Sequence, residues 1–300
     1  MNRFVRYTNG NYTVTIDTRT GTKIRENDLD FFRAEFPESM DIKICDKCDM
    51  GCPMCHENST PDGKCGDILN AKFIETLHPY TELAIGGGNP LEHPDLEAFL
   101  VKCKILMLIP SMTVNQTHFM KNKEYLKTLC DSKLIYGLGI SVNKVDNDFL
   151  EALKDFPNAV LHVINGLVTI HDLAMLAGKD LKILFLGYKE FRRGKDLFKR
   201  DAFSIERRKK ETREWLGRIL DEKWFEVVSF DNLAVNQLEV RTLIGEEVWS
   251  EFYMGDDGTA TMYIDMVNRE FAKSSTSTER FPLEDDIVTM FDKIRVDKRD

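Results

Sequence analysis

Five of the seven cysteines of this chain lie close together, between Cys45 and Cys65. Three of them, Cys48, Cys52 and Cys55, are separated by three and then by two residues. Thiolates at this spacing can surround one iron–sulfur cubane from a short loop, because soft sulfur ligands suit iron–sulfur centres. Three ligands leave one iron open, and an open coordination position distinguishes a reactive metal centre from a closed structural one. The spacing therefore predicts a reactive [4Fe–4S] site.

Two other kinds of metal site could be built from the same cysteines. A zinc site could use the pairs Cys45/Cys48 and Cys52/Cys55, but only three residues separate the pairs, whereas zinc ribbons separate theirs by a dozen or more. A ferredoxin-type electron-transfer cluster would recruit Cys45 or Cys65 as a fourth ligand. The spacing disfavours zinc, and the cysteines alone leave the electron-transfer alternative open.

An odd, clustered set of cysteines is a poor disulfide framework and favours a reducing compartment. We expect Cys103 and Cys130 to behave as small buried hydrophobic residues. We also expect that neither Cys45 nor Cys65 is a cluster ligand, because strand alternation turns Cys45 away from the loop. A turn at 61–63 should lead Cys65 away from the loop that carries the three predicted ligands.

The elements that would position this loop begin near Met40, where short apolar runs alternate with helical patterns. Such a series is typical of a parallel sheet with helical crossovers, and polar residues after the strands then face one catalytic mouth. The predicted strands are Asp41–Cys45, Glu82–Gly86, Met112–Asn115, Ile135–Val142, Ala159–Ile164 and Leu181–Leu186. The predicted helices between them are Leu69–Leu77, Pro94–Ile105, Asn122–Cys130, Asp146–Asp155 and Thr169–Ala177.

The two ends of the chain have different patterns. Alternating residues over 3–24 predict an antiparallel meander with its first turn at Asn9-Gly10. An amphipathic helix is predicted over 204–223, and its basic run at 207–210 is expected to be a solvated face. A hairpin is predicted around the turn 255–258, between 251–254 and 259–267.

The spacing Cys48-x3-Cys52-x2-Cys55 after a first strand resembles the signature of the radical S-adenosylmethionine superfamily. The resemblance implies an α/β fold with a partial (β/α)6 barrel of the TIM type over 39–200. The N-terminal β-meander over 1–38 and a C-terminal α+β extension over 201–300 would be additions to that barrel.

The second predicted strand ends in Gly86-Gly87-Gly88-Asn89-Pro90, which is similar to the family's Gly-Gly-Glu-Pro segment. In the family this segment contacts the amino group of S-adenosylmethionine, and Asn89 here stands where the family has a glutamate. A neutral carbonyl would weaken a charge-assisted hydrogen bond. The resemblance implies seven cofactor-binding residues: Met54, Gly87, Gly88, Asn89, Asn115, Ser141 and Asn165.

The resemblance also implies the activity. A [4Fe–4S] cluster would reductively cleave S-adenosylmethionine to a 5′-deoxyadenosyl radical, which would modify a peptide or small-molecule substrate. An electron donor such as flavodoxin or ferredoxin would be a partner. A non-catalytic electron-transfer or metal-scaffold protein is the alternative, although such a protein has no need of the glycine segment.

The stretch 252–275 resembles the C-terminal hairpin of SPASM/twitch-type family members, which hold auxiliary clusters there. Serines stand where those proteins have a cysteine, and no cysteine follows Cys130. We therefore expect this extension to act as a lid or substrate platform. We expect His56 and Glu57 to orient the neighbouring ligand, and we interpret His93, His118, His162 and His171 as structural.

The overall charge excludes one class of partner. The sequence has 41 Lys and Arg against 50 Asp and Glu, a net charge of −9, which repels a nucleic-acid backbone. The N-terminal segment has no long apolar run, so neither a secretory signal nor a membrane span is predicted. We expect a cytoplasmic protein that binds neither nucleic acid nor membrane.

Overall fold

The computed structural model describes residues 3–29 and 31–296 of the 300-residue chain. The strands are β1 Phe4–Asn9, β2 Tyr12–Asp17, β3 Lys23–Glu26, β4 Ser39–Cys45, β5 Glu82–Gly87, β6 Ile109–Asn115, β7 Gly137–Ser141, β8 Ala159–Ile164, β9 Lys182–Leu186, β10 Val227–Phe230, β11 Thr261–Asp265, β12 Glu270–Ala272 and β13 Phe281–Pro282. The helices are α1 Leu96–Ile105, α2 Gln116–Lys121, α3 Lys123–Asp131, α4 Asn147–Leu153, α5 Ile170–Leu176, α6 Arg193–Asp221, α7 Asn232–Gln237, α8 Val240–Ile244, α9 Glu246–Phe252 and α10 Ile287–Ile294.

The N-terminal meander is a separate antiparallel sheet in the order β1-β2-β3. Asn9 pairs with Tyr12, so the first turn is Gly10-Asn11, one residue later than predicted. The Asn9 side chain is buried and donates to the Tyr12 hydroxyl and to the Phe36 carbonyl. Asn9 therefore anchors the end of β1, and Gly10 supplies the positive φ that the turn requires.

The larger sheet has ten strands in the order β10-β9-β8-β7-β6-β5-β4-β11-β12-β13. The strands from β10 to β11 are parallel to their neighbours, and β12 and β13 are antiparallel additions at one edge. All six strands predicted from the apolar runs are present in this sheet. The mixed α/β fold with a mostly parallel sheet is thus confirmed.

Side chains alternate across β4 to β9, and one face of these strands carries the core. Ile42, Ile85, Val114, Ile140 and Phe185 are buried and belong to the hydrophobic cluster that includes the inner faces of the helices. The opposite face, here called the polar face, carries mostly small and polar residues, with the apolar Ile164, Leu184 and Leu186 on β8 and β9. This alternation gives the parallel strands one face for packing and one face for a cavity.

The helical predictions differ from the structure in two places. A single 3-10 turn, Lys72–Thr76, replaces the helix predicted over 69–77. Helix α6 begins at Arg193, earlier than predicted, with a kink at Asp201. It runs through residue 200, so the predicted boundary of the C-terminal extension falls inside a helix, and the division into barrel and extension stays a prediction.

The predicted hairpin around 255–258 is wrong. Residues 246–252 form helix α9, and β11 pairs in parallel with β4 of the central sheet. The hairpin lies later, where β11 pairs with β12 around the turn at 266–269. Apolar alternation identified β11 correctly, but local turn signals could not show that its partner is a strand more than 200 residues earlier. Within the described residues, no helix is long and apolar enough to cross a membrane.

Candidate functional site

The polar face of the parallel strands lines a cavity of about 440 Å³. Its walls combine residues within the strands with loops that follow their carboxyl ends. The strand residues that line it include Asp41, Lys43, Ala84, Gly86, Thr113, Asn115, Ser141, His162, Ile164, Leu184 and Leu186. The volume lies within the range of small-molecule and cofactor pockets.

The three cysteines with the predicted ligand spacing line this cavity together. Cys48, Cys52 and Cys55 are free thiols and are partly buried. Burial raises the pKa of the Cys48 and Cys52 thiols, and the charge of Cys55 raises both further. The thiols are therefore close enough to influence one another. Three accessible thiols on one short loop form a suitable donor set for an iron–sulfur cluster.

The loop that carries Cys48, Cys52 and Cys55, called the cysteine loop below, is held by backbone hydrogen bonds and by the start of α6. Cys48 N donates to the Thr60 carbonyl at 2.9 Å, and Thr60 N donates to the Asp46 carbonyl at 3.1 Å. From α6, the Arg193 guanidinium donates to the Ser59 carbonyl at 2.5 Å. These contacts hold the loop in place, and a loop that is held loses less entropy on binding a ligand.

The other two cysteines of the cluster form a disulfide, Cys45–Cys65, which corrects the expectation that the set is a poor disulfide framework. The turn at 61–63 does not lead the chain away. Asp46 N donates to the Lys64 carbonyl and Gly66 N donates to the Ile44 carbonyl, so the chain returns alongside the end of β4. Cysteine spacing could not predict this disulfide, because the two cysteines meet only when the folded chain returns alongside β4.

The glycine segment packs against the cysteine loop. A Cβ at Gly88 would lie 2.5 Å from the Lys47 carbonyl oxygen, and one at Gly87, where φ is +112°, would lie 2.5 Å from that of Cys45. These two glycines are required by close backbone approach. Gly86 is different, since a Cβ there would meet no atom within 4 Å. The space in front of Gly86 belongs to the cavity and could accept part of a ligand.

The seven predicted cofactor residues divide into two groups. Met54, Gly87, Gly88, Asn115 and Ser141 line the cavity. Asn89 and Asn165 do not appear among the lining residues.

The two asparagines outside the lining have other partners. Asn89 is buried, and its side-chain oxygen accepts from Leu91 N at 3.3 Å, as an N-cap. Asn165 is fully buried and donates to Gln237 at 3.2 Å. Asn115 lines the cavity but also caps α2 by accepting from Thr117 N. Local capping therefore accounts for Asn89 and for part of the role of Asn115.

A buried ion cluster lies beside the cysteine loop. The Lys43 ammonium is 2.8 Å from a carboxylate oxygen of Asp46 and 3.1 Å from one each of Glu57 and Asp265. Burial lowers the pKa of Lys43, but the three carboxylates outweigh it and raise the pKa above its usual value. Burial raises the pKa of Glu57, but contacts with His56 and Lys43 outweigh it and hold the pKa at about 2. Glu57 is therefore a charged structural partner of this loop.

Three of the four histidines interpreted as structural do not line the cavity. The buried His118 ring on α2 contacts Asp49 of the cysteine loop at 2.7 Å, and these two residues lie near Cys48. His93 contacts the Gly66 carbonyl at 2.8 Å. His171 is exposed on α5.

His162, the fourth histidine interpreted as structural, lines the cavity. Its ring occupies the space that a Cβ at Gly139 would fill, with contacts that would fall at 2.6 and 2.7 Å. Burial lowers its pKa to about 4, so the ring is neutral at physiological pH. Alternation along β8 places it on the polar face, and this was the one signal that could have identified it.

Residues from the C-terminal part of the chain complete the cavity. Tyr263 of β11 and Ser275 after β12 both line it. The Lys189 ammonium, after β9, donates to the Ser275 hydroxyl at 3.0 Å and contacts His56 at 3.4 Å. The segments that follow β9 and β12 therefore meet across the mouth.

No family model matches the sequence, and no curated protein matches it. The fold, in contrast, is similar to crystal structures of Streptococcus suis SuiB. SuiB bound to the precursor peptide SuiA has a TM-score of 0.63 and 12% sequence identity over 96% of this chain and 87% of SuiB. SuiB bound to S-adenosylmethionine has a TM-score of 0.61 and 11% identity over 94% of this chain and 85% of SuiB. The chain therefore has the fold of SuiB, a protein whose crystal structures hold a precursor peptide and S-adenosylmethionine.

Proposed function

We propose that this chain is a radical S-adenosylmethionine enzyme that holds one [4Fe–4S] cluster on Cys48, Cys52 and Cys55 and modifies a peptide. The observation that carries the proposal is the position of these three free thiols beside the open space at Gly86, in one cavity at the carboxyl ends of parallel strands. When bound, the cluster would supply one-electron cleavage of S-adenosylmethionine to a 5′-deoxyadenosyl radical.

The chain's own residues would bind and shield the reactants. The thiolates would hold the metal, and the backbone around Gly86 would receive the cofactor, because the Asn89 side chain is buried and lies outside the cavity lining. Tyr263 and Ser275 would cover the mouth and restrict water, because a carbon radical attacks any accessible C–H bond. This is the lid role expected of the C-terminal extension.

The partial (β/α)6 barrel is also part of this proposal. Segments next to distant strands of the sheet meet through the Lys189–Ser275 bond and through a 2.7 Å bond from Asn232, after β10, to Asp257, before β11. These contacts support a curved sheet that surrounds the cavity. A peptide is favoured over a small molecule as substrate because SuiB, with the same fold, binds a precursor peptide.

The test is product formation by anaerobically reconstituted, dithionite-reduced protein. We expect 5′-deoxyadenosine from the parent and from a Cys130→Ala control, and none from the triple variant in which Cys48, Cys52 and Cys55 become Ala. Protein that retains stoichiometric zinc and accepts no iron would contradict the proposal.

A second measurement separates the enzyme from an electron-transfer protein. The disulfide occupies both thiols that could serve as a fourth ligand. We expect the Cys45→Ser, Cys65→Ser double variant to keep about four irons per chain and to keep cleaving the cofactor. Loss of the cluster in this variant would favour the electron-transfer alternative.

A further inference from the structure

One carboxylate of the cavity, that of Asp41, forms no hydrogen bond or ion pair with another side chain in the described part of the chain. Asp41 lies in the middle of β4, lines the cavity and is exposed to it. Its strand neighbours are Ala84 on β5 and Tyr263 on β11. Ala84 has no polar group, and the Tyr263 hydroxyl contacts Glu57 instead. Within residues 3–29 and 31–296, no cation lies within ion-pair distance of the Asp41 carboxylate.

The charges around Asp41 are mostly negative. Desolvation by the protein that encloses the cavity raises the pKa of Asp41; Lys189 lowers it, and Asp257, Asp231 and Glu57 raise it. Lys189 directs its ammonium to Ser275 and to His56 rather than to Asp41. The surroundings thus disfavour the negative charge of Asp41, and a bound cation would relieve that cost.

Apolar side chains from other strands also line the cavity. Ile164 of β8 and Leu184 and Leu186 of β9 line it. A ligand that fits both Asp41 and these apolar side chains carries a positive charge on an aliphatic stem, because the stem packs on apolar side chains while the charge meets a carboxylate.

We propose that Asp41 is a specificity-determining residue that binds an organic cation, an alkylammonium or guanidinium group, of the substrate. This inference rests on the proposed function, since it takes the cavity as the substrate site. The cation could come from a Lys or Arg side chain of a peptide or from a free amine, and both would make the same contact with the carboxylate.

The experiment measures binding to the iron-loaded enzyme in the presence of S-adenosylhomocysteine, which occupies the cofactor site without reacting. The probes are acetyl-Gly-Lys-Gly-amide, the same peptide with norleucine in place of Lys, and n-butylamine, observed by ligand-detected NMR. We expect the Lys peptide to bind about tenfold or more tightly than the norleucine peptide, as a charge-assisted contact predicts. Binding of n-butylamine as tight as that of the Lys peptide would identify a free amine as the source, and weaker binding would identify a peptide.

Variants attribute the preference to Asp41. Asp41→Asn should abolish the preference for Lys over norleucine, and Asp41→Glu, which keeps the charge, should retain it. The matched control is Asp155→Asn, an exposed position outside the cavity, which should bind like the parent. Equal or tighter binding of the norleucine peptide, or a preference that persists in Asp41→Asn, would overturn the proposal.

Failure of this inference can be distinguished from failure of the proposed function. Iron content and 5′-deoxyadenosine formation are measured on the same parent preparation. A parent that cleaves the cofactor but shows no cation preference refutes only the role of Asp41. A parent that neither binds iron nor cleaves the cofactor refutes the proposed function itself.

Discussion

Replacing Lys43 by Met tests the buried ion cluster beside the cysteine loop. The Lys43 side chain is 1% exposed, and those of Glu57 and Asp265 are 10% and 4% exposed. Without the Lys43 ammonium, the carboxylates of Asp46, Glu57 and Asp265 remain close together and lose the cation that they share. Breaking a buried ion pair by removing one partner costs about 3–5 kcal/mol. We expect Lys43→Met to lower the free energy of unfolding by that amount at pH 7.

The assay is urea unfolding of parent and variant at equal iron content. Lys72→Met is the control, because Lys72 forms one ion pair with Asp285 and both side chains are more than 70% exposed. An exposed pair contributes about 0.2–1 kcal/mol, so the control should change little.

The pH dependence gives a further check. In the parent, the charge of Lys43 contributes below its unfolded pKa of about 10.5 and is lost only at higher pH, because its folded pKa is raised. Without Lys43 the crowded carboxylates bind protons more readily, so the deficit of Lys43→Met should shrink as the pH falls from 7 to 5. If Lys43→Met lowers the free energy of unfolding by less than about 1 kcal/mol at pH 7, the reasoning is refuted, because exposed surface ion pairs contribute that little.

Three other predictions concern the cavity wall. Gly88→Ala should lower the iron content and destabilise the fold by about 1–3 kcal/mol, because its Cβ would displace the cysteine loop, whereas Gly86→Ala should leave the melting temperature unchanged. Gly139→Ala should displace the His162 ring, seen as a changed imidazole signal by NMR; an unchanged signal would contradict the packing. His162 should titrate with a pKa of about 4, so its neutral form stabilises the fold above pH 6.5 and this contribution falls as the pH drops toward 4. A pKa near 6.5 by NMR titration would show that the ring is solvated.

Much of the fold could be predicted from local pattern. Apolar runs bounded by helical segments identified the six central strands, because residues buried on a parallel sheet must be apolar wherever they pack under helices. Cysteine spacing identified the candidate ligand loop for a similar reason, since the ligands of one cluster on one short loop are fixed by sequence distance alone. Turn chemistry was less reliable, and it misplaced the C-terminal hairpin by about ten residues.

The sequence by itself therefore determined the six central strands and the cysteine loop, because both depend on residues close together in the chain. Only the tertiary structure decided which side chains meet in the cavity. The contact between Lys43 and Asp265 joins residues 222 apart, and the Cys45–Cys65 disulfide depends on the return of the chain along β4. His162 faces the cavity because strands from different parts of the chain pair in register and share one polar face. Such contacts between distant residues depend on sheet order and register, which no local sequence pattern specifies.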